Sequence, residues 1–327
     1  MQIHKSLVLF FIFSINFVYS QNSFELLDAA YRNDEKKVYY LLKGKTDVNI
    51  MDYNNVTPLM YAADNNNLYL CKLLIKYGAD VNIVPDNQMS ALFSAVKNNN
   101  PEIVELLLEN NANPNVTDEN NVTPLMICAV YGYPLAASYL CSYGADVSYM
   151  NFWDTDAGMI AAYYNDTDML HVLWDYYADF NSYDTNGYTP LMIAAQQGNI
   201  EAAKFLIEKN ADILTLSYRN INALDLALLK GHTETAKYLL SLNANLCHKI
   251  NDKISTYDIA NFKDLKEILP LIELGETDKT KKHRKLSKKN FKFAEKNIRY
   301  EIFDNKHLDP PDVSKHTGGY IYKEINK

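Results

Sequence analysis

No apolar stretch beyond the first twenty residues of this sequence is long enough to cross a bilayer, and the leading one is itself too short. It runs from Leu7 to Val18, broken by Ser14 and Asn16, against the ~20 apolar residues that a spanning helix needs. With His4 and Lys5 before it, Val18-Tyr19-Ser20 at its end and the polar pair Gln21-Asn22 after it, the run has the form of a cleaved secretory signal. Residues 1–20 are therefore expected to be removed, leaving a mature chain exported to a bacterial periplasm or envelope rather than to an extracellular space.

Cysteine is scarce too. Cys71, Cys128, Cys141 and Cys247 show no C-x-x-C spacing and no histidines at zinc-ligand intervals, which excludes a zinc module. They fall at different places in the repeat described below, so free and mostly buried thiols are expected instead of disulfides. The G-x-S-x-G, H-E-x-x-H, P-loop and Gly-rich dinucleotide motifs are absent as well. No catalytic, cofactor-binding or metal site is expected, and the chain reads as a non-enzyme. The one notable ionisable cluster, His171 with Asp168 and Asp175, places its carboxylates on or near the outward face of a helix, as solvated surface does.

What is present is a period. Thr57-Pro58-Leu59 returns as Thr123-Pro124-Leu125 and Thr189-Pro190-Leu191, and Ser90-Ala91-Leu92, Asp156-Ala157-Gly158, Asn222-Ala223-Leu224 and Ser255-Thr256-Tyr257 complete a series spaced by 33 residues. Gly78-Ala79-Asp80-Val81-Asn82 recurs in step as Asn111-Ala112-Asn113, Gly144-Ala145-Asp146-Val147, Tyr177-Ala178-Asp179-Phe180-Asn181, Asn210-Ala211-Asp212-Ile213 and Asn243-Ala244-Asn245. Two markers holding one register without insertion define a repeat protein. The pattern resembles the ankyrin repeat family over about residues 23–275. The resemblance implies an all-α fold, an ankyrin-repeat solenoid of stacked helix-turn-helix units joined by β-hairpin-like loops. It sets an N-terminal capping repeat at 21–50, repeats at 51–83, 84–116, 117–149, 150–182, 183–215 and 216–250, a C-terminal capping repeat at 251–275 and a basic tail at 276–327.

The residues support that organisation independently. Pro58, Pro124 and Pro190 suit the first turn of a helix, where a missing N–H leaves nothing unpaired. Paired small residues such as Ala62-Ala63, Ala161-Ala162 and Ala194-Ala195 let neighbouring helices approach. Asn66, Asn99, Gly132, Asn165, Gly198 and Gly231 are the residue types that adopt a left-handed backbone at a helix end. The second helix carries an inward apolar face, as in Ile103, Val104, Leu106, Leu107 and Leu108, with Glu102 and Glu105 behind it. A face of this kind is buried only by stacking on the next repeat.

Three departures from the family pattern carry expectations. Met60, Phe93, Met126, Met159, Met192 and Asp225 replace the usual histidine, so packing must substitute for its hydrogen bonds. The fourth repeat, with Asp156, Ala157, Gly158 and Tyr177 in place of Thr, Pro, Leu and Gly, is expected to be the weakest, and Asp156→Thr, Ala157→Pro and Gly158→Leu together to stabilise it. Pro270 is expected to fall inside the last helix and distort it.

The formal charge is −8, and it is unevenly placed. From Glu276 onward 14 Lys and Arg face 8 Asp and Glu, leaving 18 against 32 before it, so the tail is near +6 and the body near −14. Export argues against a nucleic-acid partner for this tail; an anionic membrane or the protein's own body remain as surfaces for it. The sequons at Asn55, Asn115, Asn121 and Asn165 are read as coincidence with repeat positions.

Ankyrin proteins hold partners at the hairpin tips before T-P-L and at the exposed end of the first helix. Mapped here, those places give Tyr53, Val56, Glu119, Tyr218 and Arg219, and an aromatic centre at Tyr131, Phe152, Trp153, Tyr163, Tyr164 and Tyr188. Tyr and Trp join apolar area to a polar handle, as binding hot spots do. The sequence thus reads as a monomeric module binding a protein or peptide in the concave groove. The alternative is an envelope factor that scaffolds a partner enzyme and is tethered to membrane by its tail.

Overall fold

The period reappears in the backbone as two helix starts per repeat. The computed structural model describes residues 24–86, 88–242, 244, 246, 249–250 and 254–275. The expected leader at 1–20, the basic tail from 276 and Cys247 lie outside them. Among the described residues there are sixteen helices and no strand, only an isolated bridge between Ile250 and Ile254. In chain order they are α1 (24–31), α2 (Glu35–Lys43), α3 (Pro58–Asp64), α4 (Leu68–Lys76), α5 (Ala91–Lys97), α6 (Pro101–Glu109), α7 (Pro124–Tyr131) and α8 (Pro134–Ser142). There follow α9 (Ala157–Tyr164), α10 (Thr167–Asp175), α11 (Pro190–Gln197), α12 (Ile200–Glu208), α13 (Ala223–Lys230), α14 (Thr233–Ser241), α15 (Thr256–Phe262) and α16 (Leu269–Gly275). The chain divides into two compact units, Met1–Cys128 with Leu135–Asp146, and Ala129–Pro134 with Val147–Lys327; the boundary falls in the third repeat.

From α3 onward each first helix starts where a side chain caps it. Thr57, Ser90, Thr123, Asp156, Thr189, Asn222 and Ser255 accept the backbone N–H three residues on. Such a cap contributes ~1 kcal/mol. The reciprocal bond that histidine's absence leaves open is made by other atoms in three repeats. Thr57 N donates to Met60 Sδ, Asn222 N to Asp225 and Ser255 N to Asp258. Thr256 Oγ1 also donates to Asp225 Oδ1 at 2.9 Å, tying the last repeat to the one before it.

Three recurrent turns close through a left-handed residue. One series ends the first helices at Asn33, Asn66, Asn99, Gly132, Asn165, Gly198, Gly231 and Asp264, which contains all six positions expected from sequence. A second follows the second helices at Lys45, Gly78, Asn111, Gly144, Tyr177 and Asn210. The third turns the hairpin tips at Asn55, Gln88, Asn121, Asp154, Gly187 and Asn220. Among the described residues, all twenty with positive φ lie on these three registers.

Packing then follows the alanines. Ala62, Ala63, Ala161, Ala162, Ala194 and Ala195 are fully buried. In the first unit α3 lies against α5; in the second α11 lies against both α9 and α13, and α13 against α15. The second helices bury Ile103, Val104, Leu107 and Leu108 in α6, and Ala202, Ala203, Phe205 and Leu206 in α12, each large side chain worth roughly 1.5–3 kcal/mol. Glu102 and Glu201 face solvent. Cys71, Cys128 and Cys141 are free and buried, and burial pushes the Cys71 and Cys141 thiols up to about 12.

Asparagine amides stitch repeat to repeat. Asn49 Nδ2 donates to Gly78 O while its Oδ1 accepts Asp80 N, and Asn82 does the same with Asn111 O and Asn113 N. Asn115 continues the pattern on Gly144 O and Asp146 N, and in the second unit Asn181 accepts Asp212 N. Asn115 is therefore a structural amide, which accounts for its sequon as repeat register.

One expectation is corrected. Pro270 does not interrupt the last helix: α16 begins at Leu269, so the proline sits in its first turn, where it removes no helical bond. In the fourth repeat other side chains stand where the motif is changed. Asp156 caps α9 by accepting Met159 N at 2.8 Å, and Ser182 Oγ donates to its other oxygen at 2.5 Å. A Cβ at Gly158 would lie 3.2 Å from Asp156 Oδ1 and 3.3 and 3.4 Å from two Phe180 ring carbons, so the Asp156 carboxylate and the buried Phe180 ring border the space beside it. The Phe180 ring also meets Trp174 at 6.2 Å and Phe205 at 6.1 Å.

Three outcomes follow from this packing. Gly158→Leu lowers the stability of the second unit by about 1–3 kcal/mol through overpacking, and adding Phe180→Val recovers most of the loss in urea melts. Additive destabilisation would show that the two sites do not share that space. Tyr177, left-handed at φ 66 and 91% exposed, pays strain without packing in return. Tyr177→Gly should raise the protection of α9 and α10 amides against hydrogen exchange by about 1 kcal/mol, and unchanged exchange would refute the strain. The Asp156 carboxyl is held above its ordinary 3.8 chiefly by burial, with hydrogen bonds from Ser182 and backbone N–H groups opposing. Because the folded value exceeds the unfolded one, its stabilisation is complete below 3.8 and is lost as pH rises through the raised folded value. Melts of wild type and Asp156→Asn should therefore diverge as pH rises above about 4, wild type falling relative to the variant; parallel profiles would contradict this.

Candidate functional site

The hairpin tips are built to be rigid. At the start of four of them one side-chain oxygen gathers the backbone: Asp52 accepts Asn54 N and Val56 N, Asp118 accepts Asn120 N and Val122 N, Asn151 accepts Trp153 N and Thr155 N, and Asp184 accepts Asn186 N and Tyr188 N. On the tip bearing Tyr218, Ser217 Oγ accepts Ile221 N. The aspartates that open repeats are thus turn residues, as their positions imply. Successive tips are then joined backbone to backbone. Asp86 N donates to Asn54 O in the first unit, and in the second Thr185 N donates to Trp153 O and Tyr218 N to Asn186 O. Gly187 is required at this seam, because a Cβ there would come within 2.9 Å of Tyr218 N and φ is +77.

On this frame the second unit carries an aromatic edge. Phe152 is 67% exposed and Tyr218 69%, on tips two repeats apart, while Tyr183 is 55% exposed and meets the Tyr218 ring edge-on at 6.1 Å. The Tyr218 hydroxyl is held above its ordinary 10, first by partial desolvation and then by Tyr183, Asp154 and Asp184. Asp184 is itself raised, by burial first, against the N–H groups of Tyr188 and Asn186, with Asp154 adding to the rise. At the end of α9, Tyr163 is half-buried and Tyr164 exposed, their rings edge-on at 5.1 Å. At the end of α7, Tyr131 is half-buried and stacked on Tyr133 at 5.6 Å.

Of the residues expected from sequence, then, Phe152 and Tyr164 present open surface, and Tyr131, Trp153 and Tyr163 are half-buried. Tyr188 is not available to a partner, being 2% exposed and among the largest fully buried side chains. Its register explains why: at the same place in other repeats Val122, Thr155, Ile221 and Ile254 are buried and Val56 and Met89 half-buried, so this position faces inward. Comparing Tyr188 with Val122 and Ile221 would have identified it. Tyr183 was missed because it precedes the turn aspartate, outside the mapped tip, and nothing in its own repeat marks it as exposed.

The ionisable cluster on α10 is ordinary surface. His171, Asp168 and Asp175 are exposed, and the imidazole lies edge-on to Phe205 at 4.5 Å. Beside it Lys209 Nζ sits 5.2 Å from the Trp174 ring centroid and 5.5 Å from that of Phe205. Among the described residues, no group of three His, Cys, Asp or Glu side chains is placed to hold a metal ion.

A search of curated proteins gives no match. The family model described as ankyrin repeats matches three times, over residues 26–118, 86–151 and 158–250. Those matches span the same 33-residue units that the caps, left-handed turns and paired helices define in the structure. With its repeats accounted for residue by residue and most of its length matched, the chain belongs to the ankyrin repeat family.

Proposed function

We propose that this protein is an exported binding module that holds an extended segment of a partner protein along the aromatic edge of its second unit, without turnover. Ankyrin repeats are generally protein–protein interaction modules, which supplies the class of function. The observation that carries the specific reading is the placement of Phe152 and Tyr218 on tips joined by backbone bonds, with Tyr183 against the Tyr218 ring. Large aromatic side chains on a rigid frame bury area on binding with little further loss of conformational freedom. Tyr163 and Tyr164 form a second aromatic pair at the end of α9. The reading takes the protein as a monomer exported through the leader at 1–20 to a bacterial periplasm or envelope, and without a nucleic-acid partner.

The test is capture of partner protein from the exported fraction by the full chain and by variants. Phe152→Ala with Tyr164→Ala should weaken capture at least tenfold, equivalent to ~1.4 kcal/mol or more, because both side chains are exposed and neither has a place in the core. Tyr53→Ala, removing a side chain 91% exposed on a tip of the first unit, should leave capture unchanged. Equal capture by the double variant and wild type, both folded by circular dichroism, would refute the reading.

A further inference from the structure

The charge of the chain is divided between two places that a short tether joins. Residues 129–134 and 147–275, the second unit before the tail, carry 17 Asp and Glu against 9 Lys and Arg, a net of −8. Residues 279–299 carry 10 Lys and Arg against the single Glu295, a net of +9, with Phe291 and Phe293 interleaved. The two charges nearly cancel. Repulsion within a run of ten cations is relieved by any acidic surface in reach, and the nearest is the unit to which the run is attached.

The chemistry of the edge fits such a segment better than a plain acidic face would. Lysine and arginine are held most effectively by an aromatic face with a carboxylate beside it, since the ring quadrupole and the anion attract the same cation. The tips provide both: exposed Phe152 and exposed Asp154 share one tip, and the Tyr183–Tyr218 pair stands on the next two, where Asp154 and Asp184 set the local field. Arg219 is the one cation on these three tips. Apolar residues among the cations, such as Phe291 and Phe293, match the apolar remainder of the edge.

Reach is sufficient. Helices of neighbouring repeats pack roughly 8–10 Å apart, so the tip bearing Tyr218 lies on the order of 20–40 Å from the end of α16. The 24 residues from Gly275 to Arg299 span up to about 80 Å when extended. A tether of this length gives an effective concentration near millimolar, enough to fill a site of modest intrinsic affinity.

We infer that residues 279–299 dock on the Phe152–Asp154–Tyr183–Tyr218 edge of the same chain and must be displaced before a partner binds. This rests on the reading of that edge as the binding surface. The tail acts as a built-in competitor: it shields the exposed aromatics of an unpartnered molecule and admits only ligands that outcompete it, with the threshold falling as ionic strength rises.

The sequence supplies its own reporter, because it contains two tryptophans and Trp153 lies on the edge. In a Trp174→Phe background, two full-length chains are compared: one with the natural tail, and one with Lys281, Lys282, Arg284, Lys285, Lys288 and Lys289 all changed to Gln. The probe is a synthetic peptide of residues 279–299. The tail-neutral chain should bind it with a saturable change in Trp153 fluorescence, and the natural chain at least tenfold more weakly. Adding 0.5 M NaCl to the natural chain should move its spectrum to that of the tail-neutral chain. Phe152→Ala with Tyr218→Ala in the tail-neutral chain should weaken peptide binding at least tenfold.

Equal peptide affinity for both chains would overturn the inference, as would binding that survives the alanine pair. A natural-tail signal that scales with protein concentration would overturn it too, by assigning the tail to a second copy. So would association of the natural chain with phosphatidylserine vesicles when its Trp153 spectrum already equals that of the tail-neutral chain. Partner capture by the tail-neutral chain is scored separately. If Phe152→Ala with Tyr164→Ala abolishes that capture while the peptide fails to bind, only the tail inference is lost.

Discussion

Everything in this chain depends on closing three turns in every 33 residues with a backbone that L-amino acids resist. A left-handed residue other than glycine costs roughly 1–2 kcal/mol, least for Asn and Asp, whose short polar side chains bond locally. The chain meets the requirement mostly with asparagine and glycine, and the exceptions, Lys45, Gln88, Asp154, Tyr177 and Asp264, fall on the same registers. The fixed turns set where each helix ends and where the next cap must stand. Once they are set, the apolar faces of the helices meet the helices of the adjacent repeats.

The same economy explains the weight of asparagine in the sequence. Beyond ending helices, its amide offers a donor and an acceptor side by side, and both are used across repeat boundaries. Asn49, Asn82 and Asn115 each give to one backbone carbonyl and take from one backbone N–H of the following repeat. Asn199 reaches back to the carbonyls of Ala162 and Tyr163, and Asn98 to that of Asp64. Loop backbone that would otherwise depend on water is paired in this way, which lets loops of irregular structure stack in register.

The fourth repeat shows how a repeat protein absorbs a changed motif. Its cap has become a buried aspartate, its leucine a glycine and its turn glycine a tyrosine, yet the helix still starts in register, with Ser182 bonded to the cap and Phe180 beside the glycine. Phe180 links this place to Trp174 and Phe205 on the second-helix side, while the tip of the same repeat presents Phe152 to solvent. The repeat that departs furthest from the family pattern therefore also contributes to the proposed binding edge. Freedom to vary there comes from the repeat's reliance on its neighbours for stability.

The sequence by itself determined the register, the helix pairs, the caps and the left-handed turns, because each of these is a constraint within a few residues: Thr57 caps Met60, Asn66 ends the helix that Pro58 begins. Thirty-three-residue spacing made each constraint visible many times over. The tertiary structure alone decided matters that join distant residues. Phe180 borders the space beside Gly158, Pro270 falls in the first turn of α16 because that helix starts late, and Tyr188 turns inward while Tyr183 and Tyr218 meet in solvent. Side-chain burial depends on which repeats flank a position and how large their residues are. A tyrosine carries the same letter on either side of that boundary, and only packing assigns it to the core or to the edge.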